Sequence, residues 1–310
     1  MKVLRPPLAQ WPSTDGPSSV TIGVLDGVHR GHRELIARLD PTLEPTVLTF
    51  EPHPVEVLRP GTNPRLITSI EERLGLLARA GISRVGVLDL GEIKELSPEE
   101  FVTKVLVEHL TVRHLVVGVD FRFGKNRSGD VESLVSMGGR LGFEVETLGL
   151  VSNGPAPVSS SRIRREIESG RLNAAHEMMP VRYTLTNTVV DGDRRGRSLG
   201  FPTANLEPPA RKVIPAIGVY AAFARTESGE IHRSAVNVGV RPTFGDGALV
   251  IEAFLMDFDG DLYGQRLTLE FVEYMRPELE FSHVDGLVGQ MREDVDRASE
   301  LLNAVSPTVS

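Results

Sequence analysis

The chain has 310 residues, 40% hydrophobic and 25% charged, which is enough for two domains with real cores and too apolar for a disordered polymer. A formal net charge of −8 argues against general binding to nucleic acid or to a membrane surface. The absence of cysteine excludes disulfides, thiolate metal sites and a cysteine nucleophile.

The N-terminal stretch up to Trp11 carries Pro6 and Pro7 and lacks the apolar core of a secretory signal. No apolar run reaches membrane-spanning length, so the expectation is a cytoplasmic protein. Short apolar runs then alternate with helical patterns. Residues 20–25, 46–50, 84–88, 114–119 and 144–148 read as strands, rich in Val, Leu and Ile and apolar on both faces, as buried parallel strands are. Between them, Ser69-Ile70-Glu71-Glu72 and Ser97-Pro98-Glu99-Glu100 are capping-box patterns, the second with proline at the first helical position. Residues 159–168 read as a helix ended by Gly170, and a last short helix spans about 172–178. The alternation predicts an α/β, Rossmann-like, doubly wound domain over residues 1–180.

After Pro180 the pattern changes. Residues 183–190, 219–225, 235–240, 249–257 and 266–272 read as strands joined by Gly, Asp and Pro turns, which predicts an antiparallel β-barrel domain over residues 181–310. Ser282-His283-Val284-Asp285 resembles a helix cap, and the pattern to Leu302 predicts one amphipathic C-terminal helix covering the barrel.

The first predicted strand runs into Asp26-Gly27-Val28-His29-Arg30-Gly31-His32. Gly27 permits a tight turn and Gly31 lets a backbone approach closely. His29 and His32 start the first helix, where free N–H groups and the helix dipole suit phosphate. Two imidazoles there can donate hydrogen bonds to charge developing on an attacked α-phosphate. A pair of surface histidines beside a turn is the plainer reading, but the strand–turn–helix setting and the H-x-G-H spacing favour a nucleotide site. Val158-Ser159-Ser160-Ser161-Arg162-Ile163-Arg164 adds capping hydroxyls that can hold phosphate. Arg162 and Arg164 are two apart and leave the helix in different directions, so at most one need face a triphosphate. Gly118-Val119-Asp120-Phe121-Arg122-Phe123-Gly124 ends the fourth strand, where open sheets bind ligands. Its two phenylalanines could pack on a flat ring, although core packing is their commoner fate.

The second constellation runs from Gly192 to Asn205 and closes on Gly200-Phe201-Pro202-Thr203-Ala204-Asn205. Gly192, Gly196 and Gly200 recur every four residues and allow a loop to fold over phosphates. Thr203 and Asn205 offer oxygens for Mg²⁺ and phosphate. No G-x-x-x-x-G-K-[ST] occurs, so a standard P-loop kinase is not expected. Glu252 is a single acid in an otherwise apolar strand, either an outward-facing residue or a working base.

The H-x-G-H segment resembles the H-x-G-H nucleotidyltransferases, which join nucleotide and acceptor without a covalent intermediate. Thr49-Phe50-Glu51-Pro52-His53-Pro54 and the segment 118–124 look like those of bacterial FAD synthetases. Pro202-Thr203-Ala204-Asn205 with downstream Glu252 is similar to the hallmark of the riboflavin kinases. With 237–245, 257–264 and Arg276-Pro277-Glu278-Leu279-Glu280-Phe281, the resemblance covers almost the whole chain. It is to the bifunctional prokaryotic riboflavin kinase/FMN adenylyltransferase family. It implies phosphorylation of riboflavin to FMN and adenylylation of FMN to FAD, with pyrophosphate released and ATP and Mg²⁺ used in both. It implies His29 and His32 as the adenylyl-transfer pair and Glu252 as the kinase base. It further implies ATP contacts at Gly23, Asp26, Gly31, Ser160, Arg164, Gly196, Gly200, Thr203 and Asn205, the last two also holding Mg²⁺. Flavin contacts are implied at His53, Asp120, Phe121 and Arg276. Riboflavin, FMN, FAD and ATP are thus the expected partners, with no nucleic acid and no membrane. Leu25 stands where the family usually has phenylalanine, and the stretch 32–46 is shorter than usual. Those departures give a monofunctional riboflavin kinase as the alternative expectation.

Overall fold

The computed structural model describes residues 1–12, 16–192, 199–240 and 249–308. The chain forms two compact units, Met1–Ser160 and Ser161–Ser310.

The first unit is a six-stranded sheet of β1 (Lys2–Leu4), β2 (Ser18–Ile22), β3 (Glu44–Phe50), β4 (Arg84–Leu88), β5 (Val112–Gly118) and β6 (Glu144–Leu148). Its order is β1-β4-β3-β2-β5-β6, and every neighbouring pair is parallel. The intervening helices are α1 (Arg30–Ala37), α2 (Pro54–Leu58), α3 (Ile70–Arg79), α4 (Leu90–Ile93), α5 (Pro98–Phe101) and α6 (Val131–Leu141), with α5 running on into a π-helical stretch, Val102–His109. Val20, Val47, Leu48, Val85, Leu115 and Val117 are fully buried, which is why these strands read as continuous apolar runs. Ser69 and Ser97 are N-caps, each in a reciprocal box with the glutamate three residues on. β2 pairs with β3 on one side and β5 on the other, so the winding reverses there, and the strands' C-terminal ends at such a switch point are where open sheets bind ligands.

Two details differ from the sequence expectation. The first predicted strand stops at Ile22, because Leu25, Gly27 and Val28 adopt left-handed φ values of 55°, 81° and 41° and turn the chain out of the sheet. β1 is an added edge strand, three residues long, too short for a period to register.

A small hairpin of β7 (Ser152–Asn153) and β8 (Ala156–Pro157) precedes α7 (Ser160–Glu168) and α8 (Leu172–His176). The second unit is built on a closed barrel of β9 (Thr184–Val190), β10 (Thr203–Leu206), β11 (Gly218–Arg225), β12 (Ile231–Val240), β13 (Leu249–Leu255) and β14 (Arg266–Arg276), in the order β10-β13-β12-β11-β14-β9. Every pairing is antiparallel, and β9 closes on β10. Ala204, Leu206, Val236, Val238, Ile251 and Ala253 are buried at alternate positions and fill the barrel. The C-terminal helix α9 (Val284–Asn303) packs Ala298 and Leu302 on Ala221, Phe223, Met256 and Val272 of the barrel's outer wall. His283, not Ser282, holds the N-cap position of α9, and it makes no side-chain cap bond.

Candidate active sites

In the first unit the H-x-G-H turn follows β2, His53 follows β3 and Asp120-Phe121 follows β5. The three segments therefore gather at the C-terminal ends of three adjacent strands, at the switch point. Gly23 follows β2 and donates its N–H to Leu48 O at 3.0 Å. His29 is the N-cap of α1. Its Nδ1 accepts from the His32 N–H at 3.4 Å, so its Nε2 carries the proton when the ring is neutral. The two imidazoles stack, with centroids 3.5 Å apart and planes 17° off parallel. A Cβ at Gly31 would come within 3.2 Å of the His29 ring, so the glycine lets the ring lie against the helix start. Burial, reinforced by the charges of His29 and Arg73, holds His32 well below the usual imidazole range. His32 is a neutral ring at pH 7, and its Nδ1 is buried without a hydrogen-bond partner among the described residues.

Asp26, expected to contact ATP, is buried at the turn. Its buried carboxylate accepts from Ile67 N, Thr68 N and Thr68 Oγ1 at 2.9–3.0 Å, and Thr68 Oγ1 accepts from Gly27 N at 3.0 Å. The residue pins the histidine turn to the loop before α3. Ser160 Oγ donates to Asp26 O at 2.9 Å and ties the serine segment to the same turn. Arg164 lies one turn further along α7 and is half-buried.

His53 caps α2, its Nδ1 accepting from Val55 N at 3.2 Å and its N–H donating to Glu56 Oε1 at 3.2 Å. Asp120 is exposed in the turn after β5. Phe121 is partly buried against the sheet's core and stacks on buried Phe123, centroids 5.6 Å apart. Core packing thus claims one face of the ring expected against the flavin. Sequence reasoning passed over Thr68 and Arg73. Arg73 is buried in α3 and donates to Thr49 Oγ1 at 3.1 Å and Phe50 O at 3.3 Å, where β3 ends. A charged residue on the apolar face of α3 was the available signal.

In the second unit, Thr203-Ala204-Asn205 lies in β10, with Pro202 just before it. The register sets Asn205 opposite Glu252 on β13, and Glu252 in turn opposite Asn237 on β12. Side chains directly opposite share a face, so Asn205, Glu252 and Asn237 form one row on the barrel's outer wall. Thr203, two residues from Asn205, shares that face. A Cβ at Gly192 would overlap the Asn205 amide, so this glycine seats the side chain. Thr203 and Asn205 line a cavity of about 500 Å³, closed on the other side by Phe258, Asp259, Gly260, Asp261 and Tyr263 of the loop between β13 and β14. Gly200 turns the chain into β10 with φ +87°. Gly196 lies outside the described residues, as do residues 241–245 of the expected match.

Arg276, expected beside the flavin, makes a bidentate pair with Asp294 of α9, at 2.8 Å through Nε and 2.6 Å through Nη2, and donates Nη1 to Pro277 O. Its guanidinium holds the C-terminal helix to the end of β14.

A histidine pair at the switch point of a parallel sheet, joined in one chain to a barrel bearing a Thr–Asn–Glu row, defines a nucleotide-using transferase with two sites. Residues 12–162 match the FAD synthetase family model, and residues 179–302 match the riboflavin kinase model. The chain is 36% identical over 294 residues to the bifunctional riboflavin kinase/FMN adenylyltransferase of Listeria monocytogenes, covering 92% of each. It is also 36% identical over 288 residues to that of Pseudomonas fluorescens, covering 91% and 92%. The chain belongs to the bifunctional riboflavin kinase/FMN adenylyltransferase family. Both domains are present, which favours the bifunctional reading over the monofunctional alternative. A crystal structure described as a macrolide-efflux protein from Streptococcus pneumoniae superposes with a TM-score of 0.88 at 27% identity, over 96% of this chain and 99% of that one. That likeness concerns the fold, and its efflux description stays with that protein. Among the described residues no helix is long and apolar enough to cross a membrane.

Proposed function

We propose that this chain makes FAD from riboflavin in two ATP-dependent steps at separate sites. The barrel site transfers the γ-phosphoryl group of ATP to the ribityl 5′-hydroxyl, giving FMN and ADP. The sheet site joins FMN to the α-phosphate of a second ATP, giving FAD and pyrophosphate. The domain limits are 1–180 and 181–310, with Pro180 as the joint; family matches over 12–162 and 179–302 support a boundary in this stretch, and the compact units divide earlier, after Ser160.

At the sheet site, His29 Nε2–H and the neutral ring of His32 donate hydrogen bonds to charge building on the α-phosphate, helped by the free N–H groups of α1. A neutral His32 ring suits this role, because it stabilises developing charge without clamping the ground-state triphosphate as a fixed cation would. Gly23, Gly31, Ser160 and Arg164 serve the nucleotide, and His53, Asp120 and the free face of Phe121 border the flavin. Asp26 acts through the turn it anchors.

At the barrel site, Glu252 accepts the 5′-hydroxyl proton as that oxygen attacks the γ-phosphate. Thr203 and Asn205 fit Mg²⁺: a hydroxyl and an amide oxygen lie on one strand face and line one cavity. This ion commonly takes one or two protein oxygens and completes its shell with phosphate and water. When bound, it would neutralise charge on the transferring phosphoryl group.

The observation that supports the kinase half most directly is the register of β10 on β13, which faces Asn205 with Glu252. The test is incubation with riboflavin and MgATP and, separately, with FMN and MgATP, with FMN and FAD separated by chromatography, on the parent chain and two variants. Glu252→Ala is expected to stop FMN formation and keep FMN-to-FAD conversion, and His29→Ala to do the reverse. Loss of both activities from either variant in folded protein would rule out separate sites.

A further inference from the structure

The polar row on the barrel's outer wall extends past the residues the kinase reading uses. Asn237 stands opposite Glu252 on the strand away from Asn205. Its Nδ2 donates to Glu278 Oε1 at 3.1 Å. Glu278 comes from the segment after β14 and reaches back over β12. Gly239, two residues from Asn237 and therefore on the same face, makes that reach possible. A Cβ at Gly239 would overlap Glu278 Oε1 and would lie 3.0 Å from Asn237 Nδ2. A glycine in a strand interior weakens the strand, and it often marks a close approach by another group. Here the approaching group is the carboxylate that holds the Asn237 amide.

An amide whose N–H is fixed by a carboxylate has its rotamer and its O/N orientation fixed as well. The remaining N–H and the carbonyl oxygen of Asn237 are then presented in a set direction along the row that contains Glu252. A general base must be held at hydrogen-bond reach of the proton it takes, and a displacement of about 1 Å can cost on the order of 100-fold in rate.

We propose that Asn237, locked by Glu278 over Gly239, is a positioning residue that orients the Glu252 carboxylate to take the proton of the flavin hydroxyl as that oxygen attacks the γ-phosphate. Neither Asn237 nor Glu278 touches the transferring group; both act through Glu252. The inference rests on Glu252 being the base, and the experiment keeps the two ideas apart.

Purified Asn237→Ala, Glu278→Ala, Glu278→Gln, the double alanine variant and Glu252→Gln are assayed for riboflavin phosphorylation and, separately, for FMN adenylylation. The second activity reports on the sheet unit, and thermal unfolding of each variant reports that the barrel is folded. In both single alanine variants kcat for phosphorylation is expected to fall about 10- to 100-fold. KM for riboflavin and for ATP should stay within about twofold, as for an interaction lost only on the way to the transition state. Glu278→Gln keeps an oxygen that accepts from Asn237 and should retain most of kcat. The double variant should be no slower than the slower single, because the two residues act as one unit. Unchanged kcat in the single variants, or raised KM with unchanged kcat, overturns the proposal. Glu278 sits on an exposed segment, so its alanine variant decides the matter even if Asn237→Ala folds poorly. If Glu252→Gln phosphorylates at the parental rate, the base assignment itself falls. If it is inactive while Asn237→Ala and Glu278→Ala keep their rate, only the positioning role is refuted.

Discussion

His29 and His32 show how a short motif acquires its chemistry from burial. In an exposed helix both rings would titrate near pH 6.5 and carry variable charge. Here His29 spends Nδ1 on the His32 N–H, and His32 is stacked beneath it, desolvated and next to the Arg73 charge. Protonating His32 would place a cation in a poorly solvated stack beside other positive groups, so the neutral form prevails through physiological pH. The sign follows directly: the folded-state value is depressed, and the ring takes up a proton only well below the ordinary imidazole range. Isotope-resolved NMR of the imidazole carbons between pH 8 and 5 should show His32 unprotonated at pH 6. Substituting Arg73 by methionine should move its midpoint upward. A His32 midpoint at or above about 6.5 would remove the basis for a neutral His32 donor.

At the scale of elements, α9 illustrates what periodicity shows and what it omits. Its apolar stripe was legible, and Ala298 and Leu302 do cover the barrel wall. The Arg276–Asp294 pair that fixes its angle was not, because sequence alone does not say which arginine at a strand end meets which aspartate on a helix. Asp294 is 8% exposed, and Gln290 also donates to it. Asp294→Ala would strand a desolvated guanidinium and should cost the second unit about 3 kcal/mol. Urea unfolding followed through riboflavin kinase activity checks this, and a loss below about 0.5 kcal/mol would mean that water solvates Arg276 as well as Asp294 does. The same division runs through the rest of the chain. The parallel strands were readable because both their faces are buried, and the helices after Ser69 and Ser97 because their caps are local. β10 was hidden, since alternating Thr203 and Asn205 on an outer wall look like loop chemistry. The facing of Asn205 with Glu252 and the anchoring of Asp26 on Thr68 were hidden too, because both depend on register between distant segments.

For the molecule as a whole, the second unit is drawn together where the chain approaches the barrel. Glu270 of β14 is 4% exposed, and it accepts from Arg182 Nη1, Thr308 N and Thr308 Oγ1 at 2.9–3.0 Å. Arg182 also donates to Ser306 O at 2.8 Å, so the segment before β9 and the tail after α9 share one clamp. Beside it, His176 Nε2 accepts from the Tyr183 N–H at 3.2 Å, which requires an unprotonated ring. Burial first, and then the Arg182 charge, lower the His176 pKa from the ordinary imidazole value of 6.5 to about 4, against an opposing pull from Glu270. The unfolded chain therefore binds a proton that the folded chain refuses, and stability rises with pH across that interval. The contribution is complete above about pH 6.5 and is lost progressively as pH falls toward about 4, where it has cost on the order of 3 kcal/mol. Thermal unfolding of the parent chain should show the kinase transition falling steeply between those values. His176→Gln, whose side-chain oxygen can still accept from Tyr183 but does not titrate, should flatten that dependence without changing FAD formation from FMN at pH 7. An equally steep acid loss in His176→Gln would assign it to the carboxylates of the clamp instead.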